Sequence, residues 1–318
     1  MAGRLLIADR GMLRELINET RQACEEALDG SDLHDAFVAL RRASVIESSV
    51  RLLVHAVTPS MPSQEPVRSL LAELAAAGHT DSDAAVERCL LIQTARASLA
   101  TLPALPVSES VKAMICDEVQ SWTRLGQHEK AGFRVGTSRF VDLSLIASLR
   151  RFPAGQFDWV RSGLPLSYLL SVTPRELPRA LFIAAVRLRG RAPVFFTHFG
   201  YRRFGQPLSE TEANRSYYRM ARSMELQPDV KGLVASSWFR SPDTHRVSPH
   251  LAWVNTVVVE NGGFAAVRGP ADPNCGVFVR SQTRRHLYER GEVTPTMGLV
   301  LWPRRAMLYW AAAHPELE

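Results

Sequence analysis

The chain has 318 residues, a net charge of +6, 46% hydrophobic residues and 22% charged residues, the balance of a soluble globular protein with room for two domains. No apolar run approaches the ~20 residues that span a bilayer, and the short apolar run in MAGRLLIADRGM is too brief for a secretory leader. The expectation is a cytoplasmic protein with no membrane partner. Nor does the positive charge single out nucleic acid: only Lys112, Lys130 and Lys231 are lysines, and the arginines are scattered rather than gathered in one basic run.

Residues 1–150 read as a helical region. Met12, Leu13, Leu16, Ile17, Cys24, Ala27 and Leu28 recur at three- and four-residue spacing until Gly30 and Ser31 break the pattern. A second helix carries Leu33, Phe37, Leu40 and Ile46 and runs on through Leu53, and the proline-rich Thr58–Pro66 is a connection. Further helices are expected at about 67–77, 81–102 and 110–125. Up to Ser121 the one aromatic residue is Phe37, so this region reads as a packing or dimerising bundle, with a homodimer through it as one expectation. Cys24, Cys89 and Cys116 fall on apolar helical faces and read as core, whereas Cys275 sits in the turn-rich DPNCG.

Between 126 and 170 glycines, prolines and aromatics alternate, as in loops packed against another domain. Asp158 and Trp159 could face a pocket, with a structural tryptophan the simpler reading. Residues 151–191 are expected to connect the two regions, and Thr173-Pro174-Arg175-Glu176 reads as a capping box that opens a helix to about Arg189. From 192 to 318 strands and helices alternate. Strands are expected at 193–199, 231–239, 264–268, 276–279 and 298–302, and helices near 210–225, 249–260, 282–290 and 303–313. Ser209 with Glu212 forms another capping box, Ser248 reads as a cap before Pro249, and Gly262 and Gly291 suit left-handed positions past helix ends. The fold class is therefore α+β or α/β: a helical region followed by a mixed-sheet α/β domain.

The densest chemistry lies in Val230–Gly263, where Asp243, His245, Ser248 and His250 are flanked by Trp238 and Trp253. A strand end followed by a loop and a helix start is where α/β proteins place ligands. Two imidazoles and a carboxylate from His198, Asp243, His245 and His250 would suit an Fe(II) oxygenase site. Ser236, Ser237 and Ser248 lack the G-x-S-x-G elbow of a serine hydrolase. Arg240 and Arg246, with Arg215, Arg219 and Arg222 at helical spacing and Arg202 and Arg203 nearby, would favour a phosphate or carboxylate ligand. Neither the G-x-G-x-x-G nor the P-loop pattern occurs.

GGFAAVRG followed by SQTRRHLYERGEVTPTMGLVLWP resembles the C-terminal half of the GCN5-related N-acetyltransferases, with Leu287-Tyr288-Glu289 in the place of that family's L-Y-E helix. The resemblance covers about the last ~90 residues. It implies acyl transfer from an acyl-CoA, with Tyr288 as the acid that protonates the departing thiolate and the SWF strand lining the cleft. The family's pyrophosphate loop, Arg/Gln-x-x-Gly-x-Gly/Ala, is sought between the Lys231 strand and the Pro249 helix, where this chain has RSPDTHRVSPH. The leading expectation is thus a small-molecule acyltransferase acting on an amine or hydroxyl. His245 or His250 serves as base beside Asp243, and Arg215, Arg219, Arg222, Trp238, Arg240 and Arg246 form the substrate and anion site. A metal-dependent oxygenase and a non-catalytic dimeric binding protein are the alternatives.

Overall fold

A computed structural model of the chain describes residues 10–30, 83–124, 138–199, 209–272, 281–294 and 296–318, with short pieces between 33 and 76. The expected helix through Leu33–Leu53, most of that at 67–77, the 276–279 strand, Cys275, Arg202 and Arg203 lie outside these residues. The chain divides into two compact units, Met1–Pro153 and Ala154–Glu318.

The first unit is helical. Helix α1 (Arg10–Asp29) buries Leu13, Ile17, Thr20, Cys24 and Leu28, the three- and four-residue stripe of a helix with one apolar face. A small ladder pairs β1 (Val57–Thr58) with β2 (Met61–Pro62). Helix α2 (Asp83–Leu99) has no such stripe: Cys89 to Ala95 are buried without a break, so it is the central helix, covered all round. Helix α3 (Glu109–Arg124) is tied to it by Arg88, which donates to the carbonyls of Trp122 and Thr123 at 3.2 and 3.0 Å. Helix α4 (Ser138–Ala147) and the short β3 (Arg151–Pro153) close the unit, joined by the Arg151–Asp142 ion pair. Cys24, Cys89 and Cys116 are buried, and burial pushes each thiol up to about 12, which keeps them protonated and unreactive at neutral pH.

The second unit is a mixed sheet with helices on both faces. Its strands are β4 (Phe157–Gly163), β5 (Pro193–Phe199), β6 (Gly232–Ser237), β7 (Phe264–Pro270) and β8 (Thr296–Pro303), in the spatial order β4-β5-β6-β8-β7. Only β5 and β6 run parallel, because the crossover between them holds a helix, α7 (Glu210–Glu225). Residues 151–191, expected as a connection, instead supply β3, β4, α5 (Leu166–Leu170) and α6 (Leu177–Phe182), which continues as a π turn over Ile183–Arg187. The FDWV run opens β4 with residues buried on both faces of the sheet, so it lacks the alternation of a half-exposed strand.

Each face of the sheet has its own cover. Val160, Val194, Phe196, Val234, Ala266, Leu299 and Leu301 face α5 and α6, which contribute Leu169, Ala180, Ala184 and Leu188. Phe157, Trp159, Phe195 and Trp302 lie on the other face. There α7 contributes Tyr217, and α11 (Arg304–Ala312) contributes Trp310. The Arg304 guanidinium also caps α7, donating to the carbonyls of Met224, Gln227 and Val230, where a cation is favoured.

Between β6 and β7 the expected loop and single helix are more finely divided. A 3₁₀ turn (Trp238–Arg240) leads to α8 (Pro242–Val247), a second 3₁₀ turn (Pro249–Leu251) and α9 (Trp253–Glu260). Ser241, not Ser248, makes the cap: its Oγ accepts from the Asp243 N–H at 3.2 Å, whereas Ser248 and Ser209 make no side-chain cap bond. Gly262 and Gly291 adopt φ of 78° and 71°, as their places past helix ends require. Helix α10 (Gln282–Glu289) follows β7 and buries none of its residues.

Candidate functional site

The parallel strands β5 and β6 pair only at Phe195–Leu233, Phe196–Val234 and Thr197–Ala235. Beyond that step they continue to Phe199 and Ser237 without pairing to each other. Their carboxyl ends therefore open a gap in the sheet, the position at which α/β sheets bind ligands.

One face of that opening is polar where the rest of the face is apolar. On β4, Asp158 is two residues from Val160 and directly opposite His198 of β5, so both side chains leave the sheet on the Val160–Phe196 side. Directly opposed residues hold their Cβ atoms about 4.5–5.5 Å apart. Asp158 is buried and His198 half-buried. Ser236 of β6 projects on that same side one residue beyond the last β5–β6 pair, extending the polar row. Arg268 of β7 then completes it, reaching across β8 to donate to Ser236 Oγ at 2.7 Å.

The loop between α5 and α6 fixes Arg268. Thr173 N–H bonds the Val267 carbonyl at 3.0 Å, Gly269 N–H bonds the Ser171 carbonyl at 3.0 Å, and Glu176 Oε2 accepts from Val267 N–H at 2.8 Å and from Thr173 Oγ at 2.8 Å. The expected Thr173–Glu176 capping box does not form: the helix begins after Glu176 with no side-chain cap bond, the two side chains bond each other, and the carboxylate serves β7. Arg268 also donates from Nε to Ser171 Oγ at 2.8 Å, with its guanidinium carbon 3.8 Å from the Tyr168 ring centre. Tyr168 packs on Phe196 at 5.5 Å, and Phe196 on His198 at 5.1 Å, between ring centres. Arg268 forms no ion pair among the described residues, and burial holds its pKa below the ordinary arginine value. The row therefore sets a carboxylate, an imidazole, a serine hydroxyl and a guanidinium on one side of the sheet, residue types able to move a proton and to stabilise negative charge.

In the segment after β6 the polar side chains are held by hydrogen bonds within the fold. Asp243 Oδ2 accepts from Thr296 Oγ at 2.8 Å, and Thr296 is also hydrogen-bonded to Ser241. His245 Nε2 donates to the Phe239 carbonyl at 2.8 Å. Burial lowers the His245 pKa, and Arg240 lowers it further against the opposing effect of that hydrogen bond. Arg240 is 1% exposed, donates to the Val254 carbonyl at 3.1 Å and to the Tyr217 hydroxyl, and lies 5.6–5.9 Å from the Phe157, Tyr217 and Phe239 ring centres. Its backbone presses on β8 at Gly298, where a Cβ would come within 2.4 Å of it. His250 and Arg246 are exposed. Trp253, whose helical position suggested core, is half-buried.

The expected arginine face on α7 also resolves into separate roles. Arg215 pairs with Glu212 at 2.6 Å and Arg222 with Glu225. Arg219 is 9% exposed and donates to the Ala154 carbonyl at 2.8 Å. It passes so close to Gly155 (φ 123°) that a Cβ there would lie 2.9 Å from its Nη1. Trp238, at the end of β6, carries the Arg284 guanidinium of α10 at 4.9 Å, and Arg284 donates to Ser248 Oγ at 3.1 Å. Tyr288 is 38% exposed one helical turn beyond Arg284, on the same helix face.

The iron reading needed His198, Asp243, His245 and His250 together. The fold commits Asp243 to Thr296 and His245 to a carbonyl, exposes His250, and sets His198 opposite Asp158. Among the described residues no three His, Cys, Asp or Glu side chains are placed to hold a metal ion. No helix among them is long and apolar enough to cross a membrane.

The sequence reading centred on Asp, His and Ser at 241–250, and it did not bring Asp158, His198, Ser236 and Arg268 together as a group. Their signal in the sequence is slight: a lone Asp in FDWV, a lone His in FFTHF and a lone Arg in AAVRG, each a polar residue within an apolar run.

No family model matches the chain, and no curated protein matches it in sequence. Among solved structures it is similar to "The crystal structure of acyltransferase in complex with decanoyl-CoA", at 13% identity over 93% of this chain and 89% of that one, with a TM-score of 0.46.

Proposed function

We propose that the protein transfers an acyl group from an acyl-CoA to an amine or hydroxyl of a small-molecule acceptor at the open ends of β5 and β6. The observation that carries this reading is the end of β5–β6 pairing at Thr197 and Ala235 beside the Asp158–His198–Ser236 row. Backbone N–H and C=O groups on facing strand edges that no longer pair need other partners. An extended, amide-bearing pantetheine arm supplies them as an added strand does.

The connectivity also moves the place where a pyrophosphate loop belongs. The parallel crossover runs β5 to α7 to β6, so the joining chain is residues 200–208, GYRRFGQPL. Arg202-Arg203-Phe204-Gly205-Gln206-Pro207 keeps the Arg-x-x-Gly half of the acetyltransferase pattern sought after β6 and has proline in its last place. The arginines supply phosphate-pairing charge.

In the reaction, His198 takes the proton of the acceptor amine or hydroxyl, and Asp158 orients the ring and stabilises its charged form. The acceptor forms its bond to the thioester carbonyl carbon, the C–S bond breaks, and the thiolate takes a proton to leave as free CoA. Tyr288 is the acid that the sequence resemblance assigns to that last step. Ser236 and Arg268 lie where the developing oxyanion or an anionic acceptor group is stabilised.

Incubation of the full-length protein with acetyl-CoA and longer acyl-CoAs tests this reading. Expected are thermal stabilisation by the thioester and acceptor-dependent release of free thiol across a panel of small amines and alcohols. Absence of both would overturn it.

A further inference from the structure

We infer that the outer face of α5 and α6 docks on an anionic lipid surface. The two helices cover the sheet with Leu169, Ala180, Ala184 and Leu188, which turns their remaining apolar residues outward. Leu166 and Leu170 stand one turn apart on α5 at 53% and 72% exposure. Leu181, Phe182 and Val186 follow on α6 and its π turn at 42%, 56% and 55%. These five make up half of the ten large hydrophobics that the described residues expose, and a clustered apolar surface of this kind marks an interaction site.

The charge around the face selects the partner. Between Leu164 and Pro193 the basic residues are Arg175, Arg179, Arg187, Arg189 and Arg191, and the one acidic residue is Glu176. All five arginines are exposed, and none forms an ion pair among the described residues. Elsewhere in the unit arginines such as Arg161, Arg215 and Arg290 pair with acids, while the exposed Arg246, Arg285 and Arg305 are single positions and not a group of five. Glu176 is spent on Val267 N–H and Thr173. Leucines and a phenylalanine set among unpaired arginines match a bilayer interface, where the apolar side chains enter the acyl boundary and the guanidiniums meet lipid phosphates. A second copy of the chain would bring like charge against like charge, and a nucleic acid would leave the leucines and valine without partners. The sequence-based exclusion of a membrane rested on the length of apolar runs, which bears on spanning and not on surface docking. The inference is independent of the acyl-transfer reading.

Co-sedimentation of the full-length protein with vesicles of phosphatidylcholine, with and without phosphatidylglycerol, at low and high salt tests it. Expected is pelleting with the phosphatidylglycerol vesicles, weakened by salt and absent with phosphatidylcholine alone. Leu170→Ser with Phe182→Ser, and separately Arg175→Glu with Arg187→Glu, should each lower partitioning by about tenfold or more. All four positions are exposed, so melting temperatures should stay at the wild-type value and report that both variants fold. No pelleting with phosphatidylglycerol vesicles would overturn the inference, as would pelleting that neither variant reduces. A solution dimer that the Leu170→Ser, Phe182→Ser variant dissociates would also overturn it, because the face would then belong to a second copy.

Discussion

Two arginines near the carboxyl end of β6 are built into opposite environments. Arg240 is enclosed by three aromatic rings and donates to a carbonyl and a phenol. Arg268 is half-buried against one ring and holds two serine hydroxyls, one of them Ser236, a residue past the last β5–β6 pair. Neither forms an ion pair among the described residues. Removing a guanidinium from water costs several kcal/mol. For Arg240 the rings, at about 0.5–2 kcal/mol each, and the charged hydrogen bonds, at about 1.5–3 kcal/mol each, offset that cost inside the fold. Arg268, which also interacts with the Tyr168 side chain, stays half-buried and keeps part of its hydration. The same residue type is fully enclosed in one place and partly solvated in the other.

The histidines repeat the contrast. His245 has one ring nitrogen committed to the Phe239 carbonyl and is held toward its neutral form by burial and Arg240. His198 stands opposite a buried carboxylate at the mouth of the opening.

The sharpest way to break the comparison is to exchange each arginine for methionine. Arg240→Met leaves the Val254 carbonyl and Tyr217 hydroxyl without their donor, and should lower unfolding free energy by about 2–4 kcal/mol in denaturant titration. Arg268→Met gives up two hydrogen bonds and a ring contact at a half-buried position, so it should cost less than Arg240→Met, about 1–2 kcal/mol, while reducing acyl-transfer kcat/KM. Equal stability losses would erase the distinction.

Next in size, Arg202→Ala with Arg203→Ala should raise the acetyl-CoA Kd roughly tenfold in calorimetry. Arg246→Ala, in the segment where the pyrophosphate loop was first sought, should leave it unchanged. The reverse pattern would return the phosphate site to that segment.

The smallest effect is a pH dependence. His245 has a folded-state pKa below its ordinary value, so the unfolded chain binds its proton more readily. The contribution is present in full above about pH 6.5 and is lost as pH falls from there toward the lower folded-state value. Replacing His245 by Gln should therefore flatten the acid limb of the stability curve by a few tenths of a kcal/mol or more. An unchanged limb would show that His245 does not titrate differently on folding.

Helices α1, α2, α3, α7, α10 and α11 and strands β5, β6, β7 and β8 were legible because they rest on local periodicity, as the Leu13–Leu28 stripe and the Val194–Phe199 run show, whereas α4 and α5 fall in the stretch read as loops. The division of 151–191 was not legible, because β4 is covered on both faces and does not alternate. The hydrogen bonding of the 241–245 cluster was not legible either. Ser241, Asp243 and His245 are near one another in sequence and satisfy one another's neighbourhood as caps and carbonyl partners, which is what short polar residues do at helix starts. Asp158, His198, Ser236 and Arg268 lie on four strands, and only strand register brings them into one row. Register is a tertiary property, so the composition of no single segment announces it.

The central claim is that chemistry belongs to the β5–β6 opening and not to the α8 segment. Thiol release from acetyl-CoA, measured with a responsive acceptor for the wild type, His198→Ala and His245→Ala at matched folded fraction, tests it most directly. The account predicts a loss of about 10²-fold or more in kcat for His198→Ala and a change of no more than a few-fold for His245→Ala. A large loss confined to His245→Ala, with His198→Ala near wild type, would contradict it.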